Sequence, residues 1–347
     1  MCRGCVADSE CGGACHELTG ACRGTGETLY VSPQGVDGPC TRNAPCRTIA
    51  AAIAQVTSQK RVIAVADGVY TTAFTIRNDA IISGTDNVPA GATIMLGAGA
   101  GTLQADSATM SVLEGVSIIG GGNDGLVNRA TLTLSRVSVA MAGRNGLDNR
   151  SGDLTVLDSQ ITGSANTGIA SNGTLRVERS IVFDNTGTGI VANGEFTIIN
   201  TIIASNGTMS APGPGGVLLS PALGALAVFR FNTLSENDVA PGGVTGVECD
   251  GMIVLENSIL ADVDGVFTTE TGGNCTARYS MFDAMPLPGT GNFAGNPMFV
   301  NGTSDFHLAA GSPAIDKADP AATESRDVDG ETRPAGGVRD IGADERP

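Results

Sequence analysis

An internal repeat of about 21 residues constrains this chain more than any other feature. LTLSRVSV (132–139) is followed by LTVLDSQI (154–161), LRVERSIV (175–182), FTIINTII (196–203), AVFRFNTL (227–234) and IVLENSIL (253–260). Their first residues are 22, 21, 21, 31 and 26 positions apart. Weaker copies stand before the series at FTIRNDAI (74–81) and SVLEGVSI (111–118), and a degenerate copy follows at CTARYSMF (275–282). Apolar residues occupy positions 1, 3 and 8 of each copy. Positions 1 and 3 share one face of a strand, whose period is two. A turn follows, and position 8 opens a second inward-facing strand. A third short apolar stretch closes each unit: GLVN (125–128), GLDN (146–149), GIASN (168–172) and GIVAN (189–193). A helix does not fit, because β-branched residues and Gly-Asn turns break every candidate window.

Three short strands and three turns per 21 residues predict an all-β fold, a right-handed parallel β-helix. Each strand pairs with its counterpart in the next coil, and the inward side chains stack. Roughly ten coils are expected at ~4.8 Å each. Two asparagine series support this. Asn128, Asn149, Asn172 and Asn193 end their units, and Asn145, Asn166, Asn185, Asn206 and Asn237 follow position 8. Asparagine tolerates left-handed backbone and can bond the neighbouring coil. Insertions rich in Gly and Pro, SNGTMSAPGPGG (205–216) and APGGVTG (240–246), are placed to form one rim of a groove. An open stack needs capped ends. RTIAAAIAQV has helical spacing, so a capping helix over 47–57 is expected, with VIAVADGVYTTAFTI (62–76) supplying the first strands.

Charge narrows the partners. The chain has 347 residues, 20 basic and 36 acidic, for a net charge of −16. Nucleic-acid binding needs a basic footprint, and docking on an anionic membrane needs the same. No apolar run reaches the ~18 residues of a spanning helix. Met1-Cys2-Arg3-Gly4 lacks the apolar core of a signal peptide, so the start is expected to be either a recombinant start or a mature end.

The nine cysteines fall into three groups. Cys2, Cys5, Cys11, Cys15 and Cys22 crowd residues 1–24, a segment too poor in apolar residues to build a core, so pairs among them are expected to staple it. Cys2-x-x-Cys5 with His16 nearby is a rival zinc reading. Cys40–Cys46 and Cys249–Cys275 are expected to be bridged. Five cysteines in the first group leave one without a local mate. Disulfides on this scale belong to an extracellular or cell-surface protein.

LYVSPQGVDGPC with APCRTIAAAI and VIAVADGVY resembles the opening of secreted parallel β-helix proteins of the pectate-lyase-like superfamily. DFHLAAGSPAIDKA (305–318) with DVDGETRP and RDIGADE (327–345) resembles the carboxyl-terminal module of bacterial surface proteins described as choice-of-anchor Q. The resemblance covers residues 28–347. It implies a β-helix over 28–304 and a terminal cap module over 305–347.

That superfamily contains lyases, hydrolases, epimerases and adhesins, so the residues must decide. Galacturonan hydrolases of this fold carry paired aspartates and Gly-His-Gly. Here there is no Asp-Asp pair, and neither His16 nor His307 lies in a coil. A lyase needs a base and a cation facing a uronate carboxyl. Arg129 and Arg150, 21 residues apart, are the candidate cations, with Arg144, Asp124 and Asp148 nearby. The competing reading is that acids such as Asp148, Asp153 or Glu195 neutralise them. Arg136, Asp158 and Arg179 occupy one place in three successive units and read as an ion-pair ladder. Thr131, Thr133, Thr155, Thr174 and Thr197 hint at a threonine face that Arg176 interrupts, and read as strand propensity. Asp327 and Asp329, in Asp-Val-Asp-Gly, are the candidate metal ligands, although full EF-hand spacing is missing. Calcium elsewhere among the acids stays open, and no other cofactor is expected.

The leading expectation is a secreted or surface β-helix that presents a long face to a polysaccharide or a surface protein without catalysis. Alternatives are a polysaccharide lyase acting on an acidic glycan, and an extracellular protein that self-associates into fibres or sheets.

Overall fold

The computed structural model describes residues 14–16, 21–24, 26–36, 38–84, 92–96, 103–106, 110–210, 213–261, 270–283 and 285–347. Cys2, Cys5 and Cys11 lie outside them. The chain is an all-β parallel β-solenoid of about nine turns with almost no helix. It divides into two compact units, residues 1–155 and 156–347.

Both units follow one rule: inward aliphatics occupy register columns. In the first unit Leu29, Ile63, Ile82, Leu113 and Leu134 stack in one column. Ile94, Ile118 and Val139 form a second, and Leu103, Leu126 and Leu147 a third. In the second unit the columns are Val177, Ile198, Phe229, Leu255 and Ala277; Ile161, Val182, Ile203, Leu234, Leu260 and Phe282; and Ile169, Ile190, Val217 and Val247. All of these residues are buried. The repeat positions read from the sequence are these columns, and the third stretch of each unit is a strand, as in Leu126–Asn128 and Ile190–Ala192.

The turns correct one expectation. None of the nine asparagines in the two series has positive φ. The left-handed residue is position 5 of every copy but the first, 74–81: Gly115, Arg136, Asp158, Arg179, Asn200, Phe231, Asn257 and Tyr279 have φ between 47° and 61°. Position 10 repeats this at Gly120, Met141, Gly163, Asp184, Ser205 and Glu236. The asparagines instead bond between coils. Asn128 Nδ2 donates to Asn149 Oδ1 at 2.9 Å in the first unit. In the second, Asn185 Nδ2 donates to Asn206 Oδ1 at 2.8 Å, and Asn206 Nδ2 to Asn237 Oδ1 at 3.0 Å. A second ladder runs through backbone N–H groups: Asn232 donates to Ser258 Oγ, Ser258 to Ser280 Oγ and Ser280 to Asn292 Oδ1. These side chains satisfy N–H groups at the corners, where strand pairing lapses.

The helix is shorter than predicted, Ile49–Ile53 rather than 47–57. Thr48 caps it by accepting from the Ala51 N–H at 3.1 Å, and Gln55 and Val56 end it by bonding three residues back. Its buried residues Ile49, Ala52 and Ile53 belong to the core, and the helix packs on Thr28–Val31 and Val62–Val65. The first solenoid strand is therefore Thr28–Val31, upstream of the helix, not the 62–76 segment. Disulfides join Cys40 to Cys46 and Cys249 to Cys275. Cys15 faces Cys22 in a two-stranded antiparallel ribbon, and Cys22 is disulfide-bonded.

Residues 305–347 lie along the outside of a sheet in the second unit. Ile181, Ile202, Thr233, Ile259 and Met281 form an outward column there. Leu308, Ala314, Ala318 and Ile341 pack on Ile259, Ala261 and Met281, while Phe306, Val328 and Ala343 cover Ile202 and Ala204. Ala343 N–H donates to Thr233 Oγ1 at 2.9 Å, and Asn200 Nδ2 to the Arg326 carbonyl at 2.8 Å. That sheet is thus buried on both faces, which explains the run Ile202-Ile203-Ala204 that does not alternate.

The ladder makes a quantitative prediction. Asn206 is fully buried, accepts from the Asn185 N–H, and donates to the carbonyls of Val182 and Ala204. Asn206→Ala should cost ~2–4 kcal/mol in urea denaturation, because several buried partners lose their bonds. Asn193→Ala, at an exposed ladder position, should cost less than ~1 kcal/mol. Equal losses at the two sites would contradict the buried-ladder account.

Candidate functional site

A groove of about 470 Å³ opens on the outside of the second unit. Its floor is Val191 and Leu218, register partners whose inward neighbours Ile190 and Val217 sit in the core. One wall is the Thr186-Gly187-Thr188 turn with Asn166 and Thr167 of the preceding coil. The opposite wall is the 205–216 insertion, through Thr208, Ser210, Gly213 and Pro214. The rim expected from that insertion is present, whereas residues 240–246 support the insertion from beneath: Gly215 N–H donates to Val244 O and Gly216 N–H to Thr245 O.

The insertion is fixed at its root. Gly207 has φ of +86°, and a Cβ there would meet the Asp238 carbonyl at 2.0 Å. Gly215 approaches the same carbonyl, where a Cβ would sit at 2.3 Å. Thr188 Oγ1 donates to Pro214 O at 2.7 Å, tying wall to wall. Every described residue bordering the groove is neutral, with hydroxyl and amide groups set around an aliphatic floor. Such a surface can match the apolar ring face and the peripheral hydroxyls of a sugar.

The arginine candidates separate into two places in the first unit. Arg144, Arg150, Asp124 and Asp148 form one cluster. Arg144 Nε meets Asp124 at 3.1 Å, and Arg150 Nε meets Asp148 at 2.7 Å. Each arginine also reaches the other acid, at 3.7 and 3.4 Å. Both carboxylates are buried while both guanidinium groups are half-exposed. The hydrogen bond to Asp148 raises the Arg150 pKa above its ordinary value. Arg129 stands apart and pairs with Asp106 at 2.9 Å. The cations a lyase would aim at a uronate are therefore matched by acids. Asp148 is the neutraliser the sequence suggested, joined by Asp124 and Asp106. In the charged column, Arg179 grips Asp158 through two bonds of 2.7 and 3.0 Å. Thr197 lies between Arg176 and Val228, so no threonine face forms there.

The candidate metal ligands also part company. Asp327 is fully buried and accepts the backbone N–H groups of Asp329, Glu331 and Glu345, so it organises the turn. Arg333 is buried over the Phe231 ring at 4.8 Å, donates to the carbonyls of Asp340 and Gly342, and lies 3.6 Å from Glu345. Arg339 donates to the Glu324 carbonyl. Asp329 meets His307 Nε2 at 2.7 Å, and Asp305 holds His307 Nδ1. Burial would lower the His307 pKa, but the hydrogen bonds to Asp305 and Asp329 outweigh it and raise it to about 9.

Sequence reasoning missed the groove's threonines. Its attention went to the strand threonines, but the lining comes from Asn-Thr-Gly (166–168) and Thr-Gly-Thr-Gly (186–189). A threonine-glycine pair recurring just before an inward strand was the available signal.

The arginine cluster is testable. Arg150→Ala should lower stability by less than ~1 kcal/mol, because Arg144 still reaches Asp124 and Asp148 and half-exposed pairs contribute little. Urea denaturation checks this, and a loss above ~3 kcal/mol would mean that Arg150 alone sustains the buried acids.

No protein-family model matches the chain, and no curated protein matches it. Among solved structures, the crystal structure of pectate lyase Pel9A aligns over 92% of this chain and 96% of that one, with a TM-score of 0.54 and 16% identity. At that identity the likeness is one of fold alone: this chain is a parallel β-helix.

Proposed function

We propose that this protein binds a neutral polysaccharide strand, without cleaving it, in the groove bounded by the 186–188 turn and the 205–216 insertion. The groove's chemistry carries the reading. Val191 and Leu218 offer an aliphatic floor, and Asn166, Thr167, Thr186, Thr188, Thr208 and Ser210 offer donors and acceptors around it. General acid–base catalysis uses titrating groups within hydrogen-bond reach of the scissile bond, and the groove's described lining supplies none. A net charge of −16 repels polyuronates and leaves neutral glycans unaffected.

The same reading places the protein outside the cell, secreted or surface-attached, in keeping with its disulfides. It takes the solenoid as right-handed, the hand of nearly all parallel crossovers. It takes the 49–53 helix as the cover of the first coil, and residues 305–347 as a choice-of-anchor Q-like module. Lyase action on an acidic glycan is the second reading, favoured by the likeness of fold to pectate lyase Pel9A.

A glycan array on the intact chain, followed by calorimetry, tests the proposal. Neutral glucans, mannans or galactans should bind, and polygalacturonate should not. Val191→Arg, which fills the groove floor, should weaken binding at least ~10-fold while the far-ultraviolet spectrum stays unchanged. Deleting 208–213, inside the fixed glycines, should do the same. Preference for polygalacturonate, or absorbance from unsaturated uronate products, would overturn the reading in favour of a lyase. Unchanged binding by Val191→Arg would move the site elsewhere.

A further inference from the structure

Three segments of the 305–347 region converge at His307. Asp305 and His307 stand on the strand Asp305–Leu308, Asp329 on the turn that Asp327 organises, and Asp344 near the carboxyl end. Ligand atoms of His307, Asp329 and Asp344 lie within 4.8 Å of one another. Asp344 is 6% exposed and uses Oδ2 to accept the Leu308 N–H at 2.8 Å, which leaves one carboxylate oxygen for a ligand. No lysine or arginine among the described residues pairs with Asp305, Asp329 or Asp344. The imidazole thus faces all three carboxylates, while the Arg333 guanidinium acts on Asp344 through space without a direct ion pair.

We propose that this cluster binds a divalent transition metal, with His307 Nε2, Asp329 and Asp344 as ligands and Asp305 as the carboxylate that orients the imidazole through Nδ1. A metal-bound histidine ordinarily donates its other ring N–H to a carboxylate, which fixes its tautomer. The Asp305 contact meets that requirement before any ion arrives. One imidazole and two carboxylates suit zinc, manganese or iron, with solvent completing the coordination. Calcium takes six to eight oxygens and is poorly served by this set. The ion takes the place of the Nε2 proton, which leaves to solvent. Its effect is structural, since it joins the 305–308 strand, the 327–330 turn and residue 344 at one point. This site is independent of the glycan groove.

Zinc titration of the full chain tests the proposal. Any zinc held by the cysteines and His16 near the amino terminus is common to every variant and cancels in the comparison. The wild type should bind one more equivalent than His307→Gln. Asp329→Asn, altering a half-exposed side chain, should weaken that site at least ~10-fold, and Asp305→Asn ~10–100-fold. Zinc should raise the melting temperature of the wild type and not that of His307→Gln, with matching circular dichroism for both proteins without metal. Equal stoichiometry and affinity in wild type and His307→Gln would overturn the proposal. If His307→Gln does not fold, unchanged zinc affinity in folded Asp329→Asn overturns it equally.

Discussion

Parallel pairing in register is the constraint from which the rest of this molecule follows. When one coil lies on the next with no offset, each side chain meets its own counterpart. An aliphatic column such as Ile161, Val182, Ile203, Leu234, Leu260 and Phe282 stays dry only if every member is apolar. A polar column can sit inside only if each member bonds the next, as Asn185, Asn206 and Asn237 do. Cross-linking of coils by identical amides satisfies corner N–H groups that would otherwise be buried without partners. A fold with so few aromatic residues is stable on these terms, because aliphatic columns fill its narrow interior.

The same constraint explains what the sequence shows and what it hides. Leu132, Leu154, Leu175 and Phe196 repeat because the interior demands it, so strand number, order and register are legible. The left-handed bends are not. Gly, Arg, Asp, Asn, Phe and Tyr all occupy position 5, because that side chain leaves the coil and is chosen by whatever lies outside it. Arg179 there grips Asp158, whereas Phe231 lies beneath the Arg333 guanidinium. The lateral seat of residues 305–347 was signalled only by the loss of alternation at Ile202-Ile203-Ala204. Terminal position in the chain suggests an end cap. The apolar outer column shows a flank.

Function divides between the insertions and the terminal region. Turns and loops carry the variation that a regular solenoid cannot accept in its strands. In the 205–216 insertion, Gly207 and Gly215 are rooted against Asp238, which fixes the base of that wall. Arg129 and Arg150 drew attention because they recur at one coil spacing; Asp148 was legible as a neutraliser, but the pairings with Asp124 and Asp106 emerge only once the turns are placed. Asp124 and Asp106 meet them from other coils or turns. In the terminal region the abundant acids have a local purpose: Asp327, Asp340 and Glu345 accept loop N–H groups and replace regular pairing.

Register is what this account most depends on, and cross-linking tests it directly. Thr197 and Val228 are partners on adjacent strands with outward side chains, 31 residues apart in sequence. Neighbouring parallel strands lie ~4.8 Å apart, within disulfide reach. In the double variant Thr197→Cys and Val228→Cys, oxidation should give that cross-link, identified by peptide mass, with the melting temperature kept or raised. Failure to form it, while Thr197→Cys paired with Phe229→Cys cross-links readily, would show that the coils stack in a different register.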